Sequence, residues 1–194
     1  AFDFVPFRPN PELSKPGKLG PGIPEPHDHC MPYRYGFGVN PDHPEAYDLT
    51  EPFQFIELCA SLGVKILNVS AGSPYYNPHI QRPAAYPPSD GYQPAHDPLI
   101  DVDRQIQVVR QIKSKAPASM VFVGTAYSYL QEYLPHVAQH NVREGWTDMV
   151  GLGRMTLSYP DILADATTKG TFTPKMICRT FSDCTTAPRN GMSS

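Results

Sequence analysis

The sequence has little of what marks several large classes of protein. Its four cysteines, at positions 30, 59, 178 and 184, are too few and too widely spaced for a disulfide scaffold. No apolar run approaches the roughly 18 residues that a membrane-spanning helix needs. The formal net charge of −3 at pH 7 gives no basic surplus for binding nucleic acid or an anionic membrane. The first residues include neither an initiator Met nor the basic stretch of a secretory signal. We therefore expect a cytoplasmic chain that is a fragment, a processed product or a trimmed piece.

Proline, by contrast, is abundant. The chain has 23 prolines, crowded into residues 5–52 and 74–98 together with Gly, His and Tyr. These stretches are too aromatic for flexible linkers. We expect them to be long ordered loops, the kind that often carry function.

The remainder of the chain alternates between two apolar patterns. Apolar residues at helical spacing predict helices at about 50–62, 101–115 and 127–141 and a short one from residue 159; β-branched apolar runs predict buried strands at 64–70, 120–123 and 148–154. Strands that alternate with amphipathic helices indicate parallel βα units joined by right-handed crossovers. Three strands are too few to close a barrel, so an open sheet edge is expected.

Small residues end all three predicted strands. They are Ser70, Ala71 and Gly72; Gly124 and Thr125; and Gly151 and Gly153, the latter followed by Arg154. Ligands of parallel α/β proteins bind at the carboxyl ends of the strands, where glycine lets the backbone approach an anion. The alternative is that these glycines only make tight turns. Arg154, a planar and permanently charged partner for phosphate oxygens, favours a phosphate site.

These segments carry a family resemblance. Residues 148–154 (DMVGLGR), followed by residues 158–161 (SYPD), resemble the eighth strand and the start of the last helix in the old yellow enzyme and 2,4-dienoyl-CoA reductase family of NADH:flavin oxidoreductases. Residues 123–125 (VGT) resemble the seventh strand of that family and residues 68–72 (NVSAG) resemble the sixth. Residues 1–4 (AFDF) resemble the segment that follows the fifth strand.

The resemblance implies an α/β fold, namely the C-terminal part (about strands 6–8) of an FMN-binding (β/α)8 TIM barrel over residues 1–170, with a tail at 171–194. It implies FMN as cofactor, NAD(P)H as reductant, and reduction of the activated C=C bond of an α,β-unsaturated carbonyl substrate. The residues expected to hold FMN are Ser70, Gly72, Gly124, Thr125, Gly153 and Arg154. The family's flavin-facing arginine and its substrate-binding His/Asn or His/His pair lie on strands upstream of Ala1. We therefore expect the isolated chain to be inactive.

The loop after the first predicted strand supplies candidate catalytic groups. Tyr75, Tyr76 and His79 follow that strand and would overhang the ligand face, as would Arg82. Phenol and imidazole groups can hydrogen-bond a carbonyl or donate a proton. An aromatic loop packed on the barrel rim is the equally weighted alternative.

Two further groups of residues have metal-ligand chemistry. The reductase branch of the family carries a four-cysteine iron–sulfur motif after the barrel, whereas this tail offers only Cys178 and Cys184, a remnant of such a site or two plain thiols. Residues 27–30 (HDHC) are ligand types, but a single short loop without a second cluster is weak evidence. No metal is predicted.

Two other functions remain open. The chain could be a non-catalytic split subunit or fragment, either a homo-oligomer or a partner of a chain that supplies the missing strands. It could also be a flavin-free barrel enzyme that binds a sugar phosphate. Such enzymes use a lysine or carboxylate borne on a strand. Lys65, the only lysine in a predicted strand, lies at the wrong end.

Overall fold

The chain folds around a small parallel sheet flanked by helices. A computed structural model describes residues 1–88 and 90–192. The strands are β1 (Phe7–Pro9), β2 (Gly22–Pro24), β3 (Val39–Asn40), β4 (His43–Tyr47), β5 (Ile66–Asn68), β6 (Val121–Gly124) and β7 (Met149–Val150); the helices are α1 (Thr50–Ser61), α2 (Pro78–Gln81), α3 (Pro98–Lys115), α4 (Leu134–Arg143), α5 (Arg154–Ser158), α6 (Ile162–Thr168) and α7 (Asp183–Arg189). Strands β5, β6 and β7 pair in parallel and in chain order. The predicted mixed α/β class with parallel strands is confirmed.

The helices cover only one face of this sheet. Leu67 pairs in register with Phe122, and both pack against α1 and α3 in the first of two apolar clusters. Val150 packs in the second cluster, with residues of α3 and α4. Because alternate residues of a strand point to opposite faces, Ile66 and Met149 lie on the other face, where they are 58% and 53% exposed. That face carries apolar side chains that no described element covers.

The start of the chain lies beside β5. The backbone N–H of Phe2 donates to the Ser70 carbonyl at 2.9 Å, and the N–H of Gly72 donates to the Phe2 carbonyl at 2.7 Å. Phe2 and Ala71 thus form a parallel bridge just beyond β5. The first residues extend the parallel arrangement on the side of β5 opposite β6.

Two helix boundaries differ from their predicted positions. Helix α3 begins at Pro98 rather than at Asp101, since the Asp97 side chain accepts a hydrogen bond from the Leu99 N–H (2.9 Å) and proline suits a first helical turn. The predicted helix at 127–141 is two elements, a 3-10 segment (Tyr127–Tyr133) and then α4. Pro135, within the predicted range, lies in the first turn of α4, where it breaks no hydrogen bond.

The segments without periodicity contain short elements that propensity does not reveal. Residues 1–50 include two antiparallel strand pairs, β1–β2 and β3–β4. The tail forms a 3-10 turn (Pro174–Met176) and α7, and it packs on the second proline-rich loop, where the Ser182 hydroxyl donates to the Tyr86 carbonyl at 2.6 Å. The division of the chain at residue 170 stays a prediction.

Candidate functional site

A cavity of about 400 Å³ lies at the carboxyl ends of β5, β6 and β7. It is bounded by the residues that follow the three strands and by the loop after β5. The lining residues are Asn68, Ser70, Gln81, Arg82, Val123, Thr125, Ala126, Ser128, Gly151, Leu152, Gly153 and Arg154. The position is the one that parallel α/β proteins use for ligands, and the volume falls within the range of about 300–1,000 Å³ typical of small-molecule sites.

Arg154 is one of two arginines that line this cavity. It begins α5 directly after the Gly153 turn and is only 8% exposed. Its Nη2 donates to the Pro83 carbonyl, whereas its Nη1 has no hydrogen-bond partner within residues 1–88 and 90–192. Burial lowers the pKa of Arg154 to about 10, which still leaves the group charged at neutral pH. A buried, charged guanidinium with an unused donor is costly unless an anion pairs with it.

A second guanidinium lines the same cavity. The side chain of Arg82 donates to the Thr185 hydroxyl (3.3 Å) and to the Cys184 sulfur (3.9 Å) in the tail. Burial is the largest cause of the lowered pKa of Arg154, and Cys178 acts in the opposite direction. The positive charge of Arg82 is close enough to lower that pKa further. Two arginines held near each other fit an oxyanion with more than one charge, such as a phosphate.

The six predicted FMN residues do not all reach this cavity. Ser70, Thr125, Gly153 and Arg154 line it, and Gly72 and Gly124 do not. The N–H of Gly124 donates to the Thr147 hydroxyl (3.1 Å), so that donor is already used.

Local packing accounts for the two glycines that lie outside the cavity. A Cβ on Gly124 would lie 3.2 Å from the Tyr127 ring, tighter than ordinary packing. Gly72 has φ +76°, and a Cβ there would lie 2.8 Å from the Asn77 Oδ1. Gly72 therefore requires glycine for the fold, as the tight-turn alternative expects, whereas at Gly124 the Tyr127 ring would have to shift to make room for a Cβ. By contrast, a Cβ on Gly153 would have no atom within 4 Å among the described residues.

The hydroxyl of Thr125 has internal partners as well. Its Oγ1 lies 2.9 Å from the Val69 carbonyl and 2.9 Å from the Gln105 Oε1, and it can donate to only one of them at a time. This group therefore ties the end of β6 to the end of β5 and to α3.

The predicted catalytic residues fall in different places. The side chains of Tyr75 and Tyr76 are 85% and 57% exposed, and neither lines the Arg154 cavity. His79 is partly buried on α2 and lines a separate, smaller cavity whose walls share no residue with the first. The structure therefore does not bring these three groups to the ligand face where the sequence places them.

Sequence reasoning assigned Arg82 to the substrate loop and did not connect it with Arg154. The missing information was the fold of the loop, since α2 (Pro78–Gln81) carries Arg82 back to the strand ends. Asn68 and Ser128 were also missed. Asn68 could have been found from the sequence, because it is a polar residue at the end of a strand otherwise made of apolar residues.

The cysteines of the tail lie beside Arg154. Both Cys178 and Cys184 are partly buried, are free thiols, and line a cavity next to that arginine. In the part of the chain that the structure describes, no group of three or more His, Cys, Asp or Glu side chains could hold a metal ion. Lys65 lies exposed just before β5, at the opposite end of the sheet from the Arg154 cavity.

No family model matches the chain, and searches of curated proteins and of solved structures likewise found no match. Across the described ranges, no helix is both long enough and apolar enough to cross a bilayer.

Proposed function

We propose that this chain is the C-terminal part of an FMN-dependent (β/α)8-barrel oxidoreductase of the old yellow enzyme type, and that the Arg154 cavity takes the phosphate of the flavin. The substrate class is an activated C=C bond in an α,β-unsaturated carbonyl compound, with NAD(P)H as reductant. The cofactor, the reductant and the substrate follow from the resemblance of the strand-end motifs.

The observation that carries the proposal is the unpartnered Nη1 of buried Arg154 at the carboxyl ends of three parallel strands. Arg82 supplies a second positive charge on the same wall. A terminal phosphate monoester would accept from both guanidinium groups and would remove the cost of burying Arg154 with an unused donor.

The arrangement of the sheet supports a barrel parent. Doubly wound sheets carry helices on both faces, and their strand order reverses at the ligand site. Here β5, β6 and β7 follow one another without reversal, the bridge at Phe2 continues that order, and α1, α3 and α4 lie on one face. Strands in chain order with helices outside are the pattern of a (β/α)8 barrel.

Three residues that line the cavity belong to the uncovered face of the sheet, namely Asn68, Val123 and Gly151. Val123 pairs in register with Asn68 and with Met149, and Gly151 follows Met149 by two residues. The side chains of Asn68, Val123 and Met149 therefore share the face that in a barrel is the interior, and Gly151 follows on the same side. Bound flavin would supply hydride transfer, and this chain's part is to bind and orient its phosphate end.

Ligand binding tests the phosphate site directly. We expect the purified chain to bind FMN more tightly than riboflavin, which lacks the phosphate, in equilibrium dialysis followed by visible absorption. Arg154→Leu should weaken FMN binding about 10- to 100-fold, the range for one charged hydrogen bond, and leave riboflavin binding unchanged. Arg143→Leu, an exposed arginine on α4, is the matched control.

Two results would count against the proposal. Equal affinity for FMN and riboflavin would contradict a phosphate site at Arg154. A chain that binds neither compound, while circular dichroism shows it folded, would contradict a flavin site in this chain.

The split-subunit hypothesis has an observation of its own. Besides the uncovered sheet face, α1 exposes Phe55 and Leu58 at 48% and 55%, and Leu62, which follows the helix, is 73% exposed. Exposed apolar surfaces of this kind mark contacts with another polypeptide. Under this second candidate function the chain supplies part of a barrel and another chain supplies the neighbouring strands.

A further inference from the structure

The tail of the chain packs on the loop that carries Arg82. The N–H of Ala85 donates to the Thr180 hydroxyl at 3.3 Å, and the Ser182 hydroxyl donates to the Tyr86 carbonyl at 2.6 Å. The N–H of Tyr86 donates to the Thr180 carbonyl at 3.5 Å. Side-chain and backbone hydrogen bonds therefore hold the tail and the loop together, although the two are distant in sequence.

Two of the docked residues have a left-handed backbone. Thr180 has φ +59° and Ser182 has φ +64°, and these residues are only 1% and 4% exposed. A positive φ is an outlier for a β-branched residue such as threonine, and it persists only where the surrounding structure holds it. Such strain is concentrated at ligand sites and clamps. The shape of the docked tail therefore points to a role beyond packing.

The loop beneath the tail supports both guanidinium groups of the Arg154 cavity. Arg82 belongs to the loop and lines the cavity. The next residue, Pro83, is buried, and its carbonyl accepts from the Arg154 Nη2. A shift of this loop would displace both cations, so the tail that fixes the loop also fixes the cavity.

Thr185 links the tail directly to one of these cations. The Arg82 Nη2 donates to the Thr185 hydroxyl at 3.3 Å, and that hydroxyl donates to the Ser182 carbonyl at 2.8 Å. A hydroxyl can accept and donate at the same time, so both bonds can form together. The Cys184 sulfur, 3.9 Å from the Arg82 Nη1, is a weaker acceptor. We infer that Thr185 is a positioning residue, whose hydroxyl holds the Arg82 guanidinium beside Arg154 for binding an oxyanion.

This inference rests on the phosphate site of the proposed function, and its probe is inorganic phosphate rather than a flavin. The test is a titration of the full chain with sodium phosphate, followed by the backbone amide NMR shifts of Gly153 and Arg154. We expect saturable changes at both positions. Sodium chloride at matched ionic strength, which supplies no oxyanion, should produce none.

Two substitutions of Thr185 separate its hydroxyl from its packing. Thr185→Val keeps the shape and removes the hydroxyl, and Thr185→Ser keeps the hydroxyl. The Ser182 carbonyl also accepts from the N–H groups of Thr185 and Thr186, both at 3.0 Å, so it keeps partners in the valine variant. Valine should weaken phosphate binding about 2- to 10-fold, the range for one hydrogen bond, and serine should restore it. Thr167→Val, at an exposed site on α6, is the matched control.

A double-mutant cycle tests whether Thr185 acts through Arg82. Arg82→Gln should itself weaken phosphate binding, because it removes one of the two cations. In that background Thr185→Val should cause no further loss, since the guanidinium that the hydroxyl positions is gone. A residue that only stabilises the tail would cause the same loss in both backgrounds.

Four results would overturn the inference. They are no saturable response of the parent chain to phosphate, unchanged phosphate binding in Thr185→Val, equal loss in the serine and valine variants, and a valine effect that persists in Arg82→Gln. The proposed function fails separately. Phosphate binding with the expected variant effects, but with equal affinity for FMN and riboflavin, would contradict the flavin site alone. A preference for FMN with no effect of Thr185→Val would contradict this inference alone.

Discussion

At the scale of single residues, the contact between Tyr127 and Asn141 holds α4 against the end of β6. Both side chains are almost fully buried, and the Asn141 Nδ2 donates to the Tyr127 hydroxyl at 2.9 Å. Tyr127→Phe would leave that amide donor buried without this partner. We expect the free energy of unfolding to fall by about 1–3 kcal/mol in urea denaturation at neutral pH.

The control for this prediction is Tyr133→Phe. That tyrosine is 67% exposed, and removal of an exposed hydroxyl should change the free energy of unfolding by less than about 0.5 kcal/mol. Equal effects of the two substitutions would show that the hydrogen bond to Asn141 contributes nothing beyond water.

At the scale of elements, Asp148 joins three of them. It precedes β7, its Oδ2 accepts from the Phe122 N–H of β6 (2.9 Å), and its Oδ1 pairs with Lys113 of α3. Although partial burial raises the pKa of Asp148, the bonds from Lys113 and Phe122 lower it overall. A lowered folded-state pKa gives stability that is present above the unfolded value of about 3.9 and is lost as pH falls through the folded value.

Asp148→Asn should therefore reduce the acid sensitivity of the fold. We expect the urea midpoint of the parent chain to drop between about pH 5 and pH 2, and that of the variant to drop less. Asp103→Asn, at an exposed site on α3, should follow the parent curve. Parallel curves for all three proteins would show that Asp148 does not couple these elements to pH.

The elements also show how far sequence reasoning reached. Strands β5, β6 and β7 could be predicted from their β-branched apolar runs, and helices α1 and α3 from apolar residues at helical spacing. The β1–β2 and β3–β4 pairs and α7 could not, since contacts distant in sequence, such as that of Arg189 with Asp90, stabilise them. Within the site, Arg154 could be predicted from the glycine turn that precedes it. The position of Arg82 and the cavity around His79 could not, because they depend on how α2 folds the loop after β5.

At the scale of the whole molecule, the uncovered sheet face and the candidate phosphate site belong together. In a barrel the same face would be interior, and its carboxyl end would form the ligand pocket. Ile66 and Met149 expose apolar side chains on this face, and the Arg154 Nη1 is a buried donor without a hydrogen-bond partner. The described elements supply a partner for neither.

In a pure solution of this chain, a second copy can cover the exposed Ile66 and Met149. We therefore expect the mass from size-exclusion chromatography with light scattering to rise with concentration above the monomer value of 21.5 kDa. The double variant Ile66→Glu/Met149→Glu should remain a monomer, because desolvating the introduced carboxylates in an apolar contact is costly. Leu163→Glu, at a 67% exposed site on α6, should associate like the parent. A parent chain that stays monomeric at every concentration would show that this face needs no partner, and would count against the split-subunit function.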